Sequence, residues 1–396
     1  MVNPQLPEDV IIEILIRVPV KSIVKLRCVS RTWRDLIRSP IFIHRYQNRE
    51  RKQSVLLVKR YTTRQYEDEA ILSFHNPDFP ELLVSPYLSI PVLNDLNLPT
   101  NIYSNVRIYG PCNGLVCIPV YNIIFLCNPA LREFKPLPPP SITCPMGYRI
   151  LAFEFGFGFD PNTGAYKVMQ ISEIREDFYE GLRLYLDHDH NYKDFRLNLD
   201  DYERFDLYDS ASNSWKHIDE ELPKINSMPS FQTFFGGAMH WYAANDIINV
   251  YILCFDIRTE TFQLLDFPDD FPKAEDLASL TVLNENLALI GFPLWREEPE
   301  PSQVIEIWVM KQYGVKESWT KQFVIGPYMG FYPFLLLNDE WLLVESDNGQ
   351  LGLCALHENK FKGLPFYGFH SSLSALVYEE SLISLNDIIS SDCENG

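Results

Sequence analysis

The first 45 residues contain the stretches Leu6-Pro7-Glu8-Asp9-Val10-Ile11-Ile12-Glu13-Ile14-Leu15, Val18-Pro19-Val20-Lys21-Ser22-Ile23 and Cys28-Val29-Ser30-Arg31-Thr32-Trp33. Proline is tolerated at the first position of a helix and ends a helix elsewhere, so a helix is predicted to start at Pro7 and to stop at Pro19. A second helix is predicted over residues 21–28, and Ser30 can cap a third that ends at Ser39-Pro40. The segment is therefore predicted to form three short helices.

These helices carry more apolar surface than they can bury among themselves. Between Val10 and Val18 only Glu13 and Arg17 are polar, and a helix that is apolar on all sides has to be covered on more than one side. Three short helices in about 40 residues rarely support a core of their own. The segment is therefore predicted to dock on a partner protein, and the alternative is that it packs on the rest of the chain as a helical subdomain.

The same stretch resembles the F-box, the adaptor-binding motif of SCF ubiquitin ligases. The residues that match the motif, in its order and spacing, are Leu6-Pro7, Ile14-Leu15, Val18-Pro19-Val20-Lys21-Ser22, Cys28-Val29-Ser30, Trp33, Leu36-Ile37 and Ser39-Pro40-x-Phe42. The resemblance implies that a Skp-type adaptor is bound by residues that line or support the contact: Leu6, Pro7, Val10, Ile14, Leu15, Val18, Pro19, Ile23, Leu26, Val29 and Trp33. For Leu26 and Trp33 the alternative is internal packing.

Composition sets the outer limits of the interpretation. The chain has 396 residues, of which 46% are hydrophobic, so a large core and about two to three domains are expected. No apolar run approaches the ~18 residues of a membrane helix, and no signal-peptide pattern is visible. Eight irregularly spaced cysteines, several in apolar runs, indicate buried thiols in a reducing compartment. A cytoplasmic location is therefore expected.

Charge is distributed unevenly along the chain. Residues 1–52 contain 11 Lys and Arg against 5 Asp and Glu, a net charge of +6; since the whole chain carries −19, the remainder carries −25. Such an acidic body should repel nucleic acid and anionic membranes and could attract a basic protein partner. The alternative is that the acidic surface only confers solubility.

Beyond residue 53 a repeated hairpin predicts a mainly β structure. Each copy has an apolar strand, a polar turn and an aromatic residue that opens a second strand, and the copies span residues 125–134, 205–215, 253–262, 307–319 and, more weakly, 353–361. Their aromatic residues, Phe134, Trp215, Phe262, Trp319 and Phe361, are 81, 47, 57 and 42 residues apart. Spacings of about 40–50 residues are typical of propeller blades, with each aromatic packed between neighbouring blades.

We therefore predict a small N-terminal α domain, the three-helix F-box, followed by a kelch-like β-propeller of about six blades. Residues 54–61 and 372–385 would share the closing blade, and a β-sandwich is the alternative. The predicted boundaries are residues 1–48 for the F-box, 53–390 for the propeller and 391–396 for a flexible tail.

The β region resembles the F-box-associated domain of plant F-box proteins, and most of all the pollen S-locus F-box group. The matching motifs are Gly110-Pro111-Cys112-Asn113-Gly114-Leu115, Asn128-Pro129-Ala130 with Arg132, Gly156-Phe157-Gly158-Phe159-Asp160, Tyr166-Lys167-Val168, His240-Trp241 and residues 307–319. Leu131 stands where the motif usually has threonine, a change expected to alter only a turn. The resemblance implies that the propeller binds S-RNases, which are basic style ribonucleases taken up by pollen tubes.

No catalytic residue, metal site or cofactor is predicted. Gly156 and Gly158 alternate with phenylalanines, which indicates a strand and not a dinucleotide-binding loop. Ser22 and Lys25 match a Ser-x-x-Lys pattern by chance. The alternating Asp187-His188-Asp189-His190 is typical of an exposed polar insertion, with metal binding as the less favoured alternative.

Acidic surface segments are the candidate contacts for a basic substrate, with simple solvation as the alternative. The predicted substrate-binding residues are Glu67, Asp68, Glu69, Asp187, Asp189, Asp269, Asp270, Glu275, Asp276, Glu297, Glu298 and Glu300.

The resulting hypothesis is a non-enzymatic substrate-recognition subunit of an SCF-type ligase, which would reach cullin and the RING–E2 machinery through its adaptor. One alternative is an F-box receptor for another target, such as an immune receptor or an enzyme. A second is a propeller enzyme or glycan-binding module with a helical cap. Nucleic-acid and membrane partners are not expected.

Overall fold

A computed structural model of the 396-residue chain describes most of the sequence in eighteen stretches. The described residues are 6–49, 54–64, 67–76, 83–90, 107–120, 123–142, 146, 148–176, 202–220, 222, 227–244, 250–271, 276–293, 304–326, 332–346, 349–358, 360–367 and 373–388.

In the part of the chain that the structure describes, four short helices precede the strands: α1 (Glu8–Leu15), α2 (Val20–Leu26), α3 (Arg31–Arg38) and α4 (Pro40–Gln47). The starts of α1 after Pro7 and of α3 after Ser30 are as predicted, and the hydroxyl of Ser30 accepts the N–H of Trp33 at 3.1 Å. The first helix ends earlier than the predicted stop at Pro19, and the second covers residues 20–26 where 21–28 were predicted. The predicted end of the third helix at Ser39 is also confirmed. A fourth helix starts there, since Ser39 caps α4 through the N–H of Phe42 at 3.2 Å and Pro40 occupies its first position.

Within the described residues the strands form six four-stranded antiparallel sheets, as a six-blade propeller requires. The first sheet contains β1 (Ser54–Arg64), β2 (Glu67–His75), β3 (Leu83–Ser89) and β24 (Ser374–Glu379). The second contains β4 (Tyr109–Cys112), β5 (Leu115–Val120), β6 (Ile123–Asn128) and β7 (Glu133–Pro136). The third contains β8 (Tyr148–Asp160), β9 (Ala165–Glu176), β10 (Tyr202–Asp209) and β11 (Ser214–Ile218).

The remaining sheets follow the same simple order along the chain. The fourth contains β12 (Ser227–Phe235), β13 (Ala238–Ala244), β14 (Val250–Asp256) and β15 (Thr261–Asp266). The fifth contains β16 (Asp276–Leu283), β17 (Asn286–Pro293), β18 (Ile305–Met310) and β19 (Trp319–Ile325). The sixth contains β20 (Tyr332–Leu336), β21 (Trp341–Glu345), β22 (Gln350–Ala355) and β23 (Phe361–Tyr367). A short helix, α5 (Leu385–Ile388), follows β24.

The predicted closing blade is confirmed by the pairing of β24 with β1. These strands are antiparallel in a register that places Val55 opposite Tyr378 and Leu57 opposite Leu376. The first sheet therefore joins the two ends of the β region, and the six-blade count predicted from the repeat is confirmed.

The chain divides into two compact units. One comprises residues 1–137 and 330–396, and contains the four helices with the first, second and sixth sheets. The other comprises residues 138–329 and contains the third, fourth and fifth sheets.

Two aromatic residues of the repeated hairpin, Phe262 and Trp319, pack between neighbouring sheets, as predicted. In the second unit the ring of Phe262 on β15 lies 4.7 Å from the ring of Phe205 on β10. The indole N–H of Trp319 on β19 donates to the backbone oxygen of Asp266 on β15, at 3.0 Å. These side chains join adjacent sheets by both apolar contact and hydrogen bonding.

Gly156 and Gly158 lie on β8, which confirms the strand interpretation of this motif. A Cβ at Gly156 would lie 2.3 Å from the ring of Trp241, so the glycine is required by close packing. Five of the six cysteines in the described residues are buried, and all six are free thiols. In the same part of the chain, no helix combines the length and apolar character needed to cross a bilayer.

Candidate functional site

The eleven candidate residues of the helical segment fall into three groups by exposure. Those exposed to solvent are Leu6, Pro7, Val10, Ile14, Pro19 and Val29; those partly buried are Val18, Leu26 and Trp33; those buried are Leu15 and Ile23. The buried pair belongs to a core formed with Ile12, Val20, Ile37, Phe42 and Tyr46. The structure therefore assigns a packing position to Leu15 and Ile23, and leaves the exposed group free to face a partner.

An apolar stripe runs along the outer face of α1. Val10 and Ile14 are four residues apart and therefore lie on one side of the helix, and Leu6 precedes the helix. Val10 is 41% exposed and Ile14 51% exposed, whereas Ile12 and Leu15 point into the core. This side of α1 is apolar and solvent-exposed, which is the pattern of a surface that a partner covers.

Exposed apolar side chains also occur outside α1. Cys28 and Val29 lie between α2 and α3, and Val29 is 64% exposed. Ile41, near the start of α4, is 70% exposed and was not among the residues selected from the sequence. The exposure of Ile41 could not be predicted from the sequence, because a single isoleucine after a helix-capping Ser-Pro can face either the core or the solvent.

Positive charge flanks these apolar residues. The exposed cations of α2 and α3 are Lys21, Lys25, Arg31, Arg34 and Arg38, and they account for much of the positive net charge of residues 1–52. A partner that contacts this side of the segment would therefore benefit from acidic side chains at its rim.

Contacts between α1 and α4 fix the shape of the helical surface. The hydroxyl of Tyr46 on α4 donates to the backbone oxygen of Val18 at 2.8 Å. Arg45 on the same helix forms an ion pair with Glu13 on α1. Burial raises the pKa of Tyr46 to about 12, so its phenol stays protonated and remains a donor throughout the physiological range.

Among the acidic candidates, Asp269 and Asp270 are exposed in the turn that follows β15. The buried rings of Phe267 and Phe271 flank them, 5.0 Å apart, and hold the turn in place. The carboxylate of Asp269 lies 2.6 Å from the ammonium of Lys316, so part of its charge is already compensated. Asp270 is the more available of the two for an external cation.

The other acidic candidates lie either at the start of a strand or outside the described residues. Glu67, Asp68 and Glu69, which were predicted as an acidic surface segment, form the first residues of β2 and pair with residues 62–64 of β1. The strand could not be predicted from the sequence there, because three successive acidic residues show no alternation of apolar and polar side chains. Asp276 is the first residue of β16. Asp187, Asp189, Glu275, Glu297, Glu298 and Glu300 lie outside the described residues.

The His240-Trp241 motif is a packing element of β13. The indole N–H of Trp241 donates to the backbone oxygen of Phe155 at 2.8 Å. Nε2 of His240 lies 2.7 Å from the hydroxyl of Tyr313, and burial lowers the pKa of this histidine to about 4. Within the described residues, no group of three or more His, Cys, Asp or Glu side chains has a metal-binding arrangement.

Comparisons with known proteins account for both parts of the chain. The family model of the F-box-associated β-propeller domain matches residues 83–382, and that of the F-box domain matches residues 4–45. F-box protein CPR1 of Arabidopsis thaliana is 24% identical over 406 residues, which cover 96% of this chain and 88% of that protein. F-box protein At5g65850 of the same plant is 26% identical over 330 residues, which cover 82% and 71%. A solved structure described as that of YjhT aligns with a TM-score of 0.40 and 11% identity, over 66% of this chain and 85% of that one.

Proposed function

The chain belongs to the F-box-associated β-propeller family, and from this membership we propose that it is the substrate-recognition subunit of an SCF-type ubiquitin ligase. The helices bind a Skp-type adaptor, which links the chain to cullin and the RING–E2 machinery. The propeller holds a target protein beside the loaded E2. The chain itself performs no chemistry, because its contribution is to raise the effective concentration of target lysines near the thioester.

The observation that carries this proposal is the exposed stripe of α1 within the segment that the F-box model matches. Val10 and Ile14 are 41% and 51% exposed, although a packed core lies directly beneath them. Leaving these side chains in water has a free-energy cost that burial against an adaptor removes, at about 25 cal/mol per Å² of apolar surface. The proposed contact surface is Leu6, Pro7, Val10, Ile14, Pro19 and Val29, with Val18, Leu26 and Trp33 at its edge and Leu15 and Ile23 supporting it from below.

For the target, we propose a basic protein, and specifically S-RNases in the pollen-tube cytosol. Two features support a cationic target: the net charge of −25 beyond residue 52, and the exposed turn that carries Asp269 and Asp270. Opposite net charges accelerate association and favour the complex at low salt. The choice of S-RNases rests on the resemblance of motifs such as residues 307–319 to the pollen S-locus group.

Co-expression with a Skp-type adaptor tests the first part of the proposal. The full-length chain should elute with the adaptor in a complex of equal stoichiometry and should lose that association when the α1 stripe is charged. A chain that is well folded and yet fails to associate with the adaptor would contradict the receptor function.

Binding to purified S-RNases over a salt series tests the second part. The adaptor-bound receptor should retain at least some S-RNases, and retention should decrease as salt rises from about 50 to 200 mM. A basic protein of similar size and charge from another family serves as the control for charge alone. Equal retention of that control, or no S-RNase binding at low salt, would reject the S-RNase target while leaving adaptor binding intact.

A further inference from the structure

Besides the covalent connection between α4 and β1, non-covalent contacts join the helices to the sheet β4–β7. These contacts involve residues 380–385, which we call the C-terminal strap. The strap follows β24 directly. Leu382 within it is buried at the centre of the helical core, together with Ile12, Leu15, Val20, Ile23, Ile37, Phe42 and Tyr46. Ala130 and Leu131, from the turn between β6 and β7, pack against the same core. Helices, strap and β6–β7 turn therefore share one apolar core.

Leu131 has a larger role than the sequence suggested. It replaces a usual threonine and was expected to alter only a turn. Its contact with the helical core shows that an apolar side chain at this position adds to the packing between the sheet and the helices.

Asn128 ties the strap to the β6–β7 turn with both ends of its side chain. Its amide donates to the backbone oxygens of Ser381, at 3.2 Å, and Ile383, at 2.7 Å. Its oxygen accepts the N–H groups of Ala130, at 3.0 Å, and Leu131, at 3.1 Å. Because Asn128 is completely buried, water cannot bond to its side chain. These four bonds therefore satisfy polar groups that would otherwise be left without a partner.

Two glutamates hold the ends of the strap. The carboxylate of Glu133 on β7 accepts the hydroxyl of Ser384, at 3.1 Å, and the N–H of Leu385, at 2.8 Å, where α5 begins. At the other end, burial raises the pKa of the Glu380 carboxyl, and the nearby backbone N–H of Val20 opposes that shift, which places the carboxyl beside the start of α2. Pro19, the residue that precedes α2, offers no side-chain cap, so Glu380 takes the role of the missing cap and connects the strap to the helices.

Gly114 permits the strap to approach the second sheet closely. It has a positive φ of +77°, and a Cβ there would lie 2.2 Å from Cβ of Ser381 and 2.8 Å from the oxygen of Glu379. The Gly110-to-Leu115 motif therefore includes a glycine that is needed both for its backbone conformation and for the passage of the strap.

From these contacts we infer that the strap fixes the direction of the helices on the β4–β7 sheet, and that Asn128, Glu380 and Leu382 are positioning residues for ubiquitin transfer. This inference rests on the proposed receptor function. A single covalent connection between α4 and β1 would allow the helices to rotate about it, whereas a second attachment at the strap removes that freedom. A fixed direction keeps the same target lysines near the loaded E2, because proximity catalysis depends on orientation as well as distance.

Cleavage of the covalent connection tests the attachment directly. A protease site is inserted between residues 49 and 54 of the full chain, the purified protein is cut, and the retention of the helical fragment is measured by size-exclusion chromatography. In the cut wild-type protein the two pieces should elute together. Asn128→Asp keeps the oxygen that accepts the N–H groups of Ala130 and Leu131 but loses both amide donors to the strap. In this variant the affinity of the helical fragment for the rest of the chain should decrease roughly tenfold.

Matched variants separate loss of the strap from loss of folding. Asn386→Asp makes the same chemical change at an exposed residue beyond the strap and should retain the fragment as the wild type does. Glu380→Gln keeps an acceptor for Val20, so it should retain the fragment better than Glu380→Ala. The inference is overturned if the two pieces of the cut wild-type protein elute separately. It is also overturned if Asn128→Asp and Glu380→Ala retain as much of the helical fragment as the wild type.

A reconstituted ligase then tests the positioning role with uncut protein. Asn128→Asp and Glu380→Ala should bind adaptor and target with unchanged affinity, while ubiquitin is distributed over more lysines of the target, as peptide mapping would show. The same lysines modified at the same rate would refute positioning. Because the cleavage assay needs neither adaptor nor target, failure of the proposed receptor function would be recognised separately.

Discussion

The hydroxyl of Tyr46 donates a hydrogen bond of 2.8 Å to the backbone oxygen of Val18. Tyr46 lies on α4 and Val18 lies between α1 and α2, so this bond connects the last helix of the segment to the end of the first. Tyr46 is fully buried, stacks on Phe42 at 6.1 Å between ring centroids and carries the guanidinium of Arg49 on its face at 3.9 Å. The phenol thus determines how α1 presents its exposed stripe.

Tyr46→Phe should destabilise the helical segment by about 1 kcal/mol, because the ring remains while a buried hydrogen bond is lost. Urea denaturation followed by circular dichroism measures this change. Tyr251→Phe, at a partly buried tyrosine of β14, is the matched control and should alter stability by no more than about 0.5 kcal/mol. Equal midpoints for the two variants would show that the bond to Val18 contributes nothing.

Ile14→Lys should abolish the proposed adaptor contact without unfolding the protein. Ile14 is 51% exposed, and lysine favours a helix and suits the last turn of α1. A charge placed in an apolar interface must be desolvated, so adaptor affinity should decrease by a factor of at least about 30. Isothermal titration calorimetry with purified adaptor gives the affinity.

Val324→Lys is the control for the charge itself, since Val324 on β19 is 50% exposed. It should bind adaptor as tightly as the wild type. Equal loss in both variants would indicate a nonspecific effect of charge, and unchanged affinity in Ile14→Lys would place the adaptor contact elsewhere.

The starts of α1 and α3 and the number of sheets were predictable because local rules determine them, whereas α1 ends at Leu15, before the predicted stop at Pro19, and α4 was not predicted. Proline and serine fix helix ends through the backbone, and the repeated hairpin fixes the spacing of the blades. Leu382 could not be assigned to the helical core, since it is separated from α4 by more than 300 residues and no periodicity connects them. Leu15 and Ile23 were predicted to line or support the adaptor contact and are buried; a matching motif does not show which of these two positions a residue takes.

Gly114→Ala should be far more damaging than Gly164→Ala, although both glycines have positive φ, +77° and +71°. At Gly164 no atom lies within 4 Å of the added methyl group, so only backbone strain of about 1 kcal/mol is expected. At Gly114 the methyl group overlaps Ser381, and displacing the strap should raise the total cost to about 3 kcal/mol or more. Thermal unfolding compares the two; similar midpoints would mean that the strap can move without cost.

The stability of the second unit should decrease in acid because of His240. In its neutral form, Nδ1–H of this histidine donates to the backbone oxygen of Thr233 at 3.3 Å, while Nε2 accepts the hydroxyl of Tyr313 at 2.7 Å. Protonation would remove the acceptor at Nε2 and place a charge in a site that excludes water. Burial accordingly lowers the pKa of His240 to about 4, compared with about 6.5 in an unfolded chain.

Between these two pKa values the unfolded state binds a proton that the folded state does not, so stability is complete above about pH 6.5 and is lost as the pH falls toward 4. The contribution amounts to at most about 3 kcal/mol. Thermal midpoints of the wild type and His240→Asn, measured from pH 4 to 7, should converge at low pH because the variant lacks the titrating group. His217→Asn, at an exposed histidine of β11, should retain the acid dependence of the wild type. Parallel curves for wild type and His240→Asn would assign the acid sensitivity to other groups.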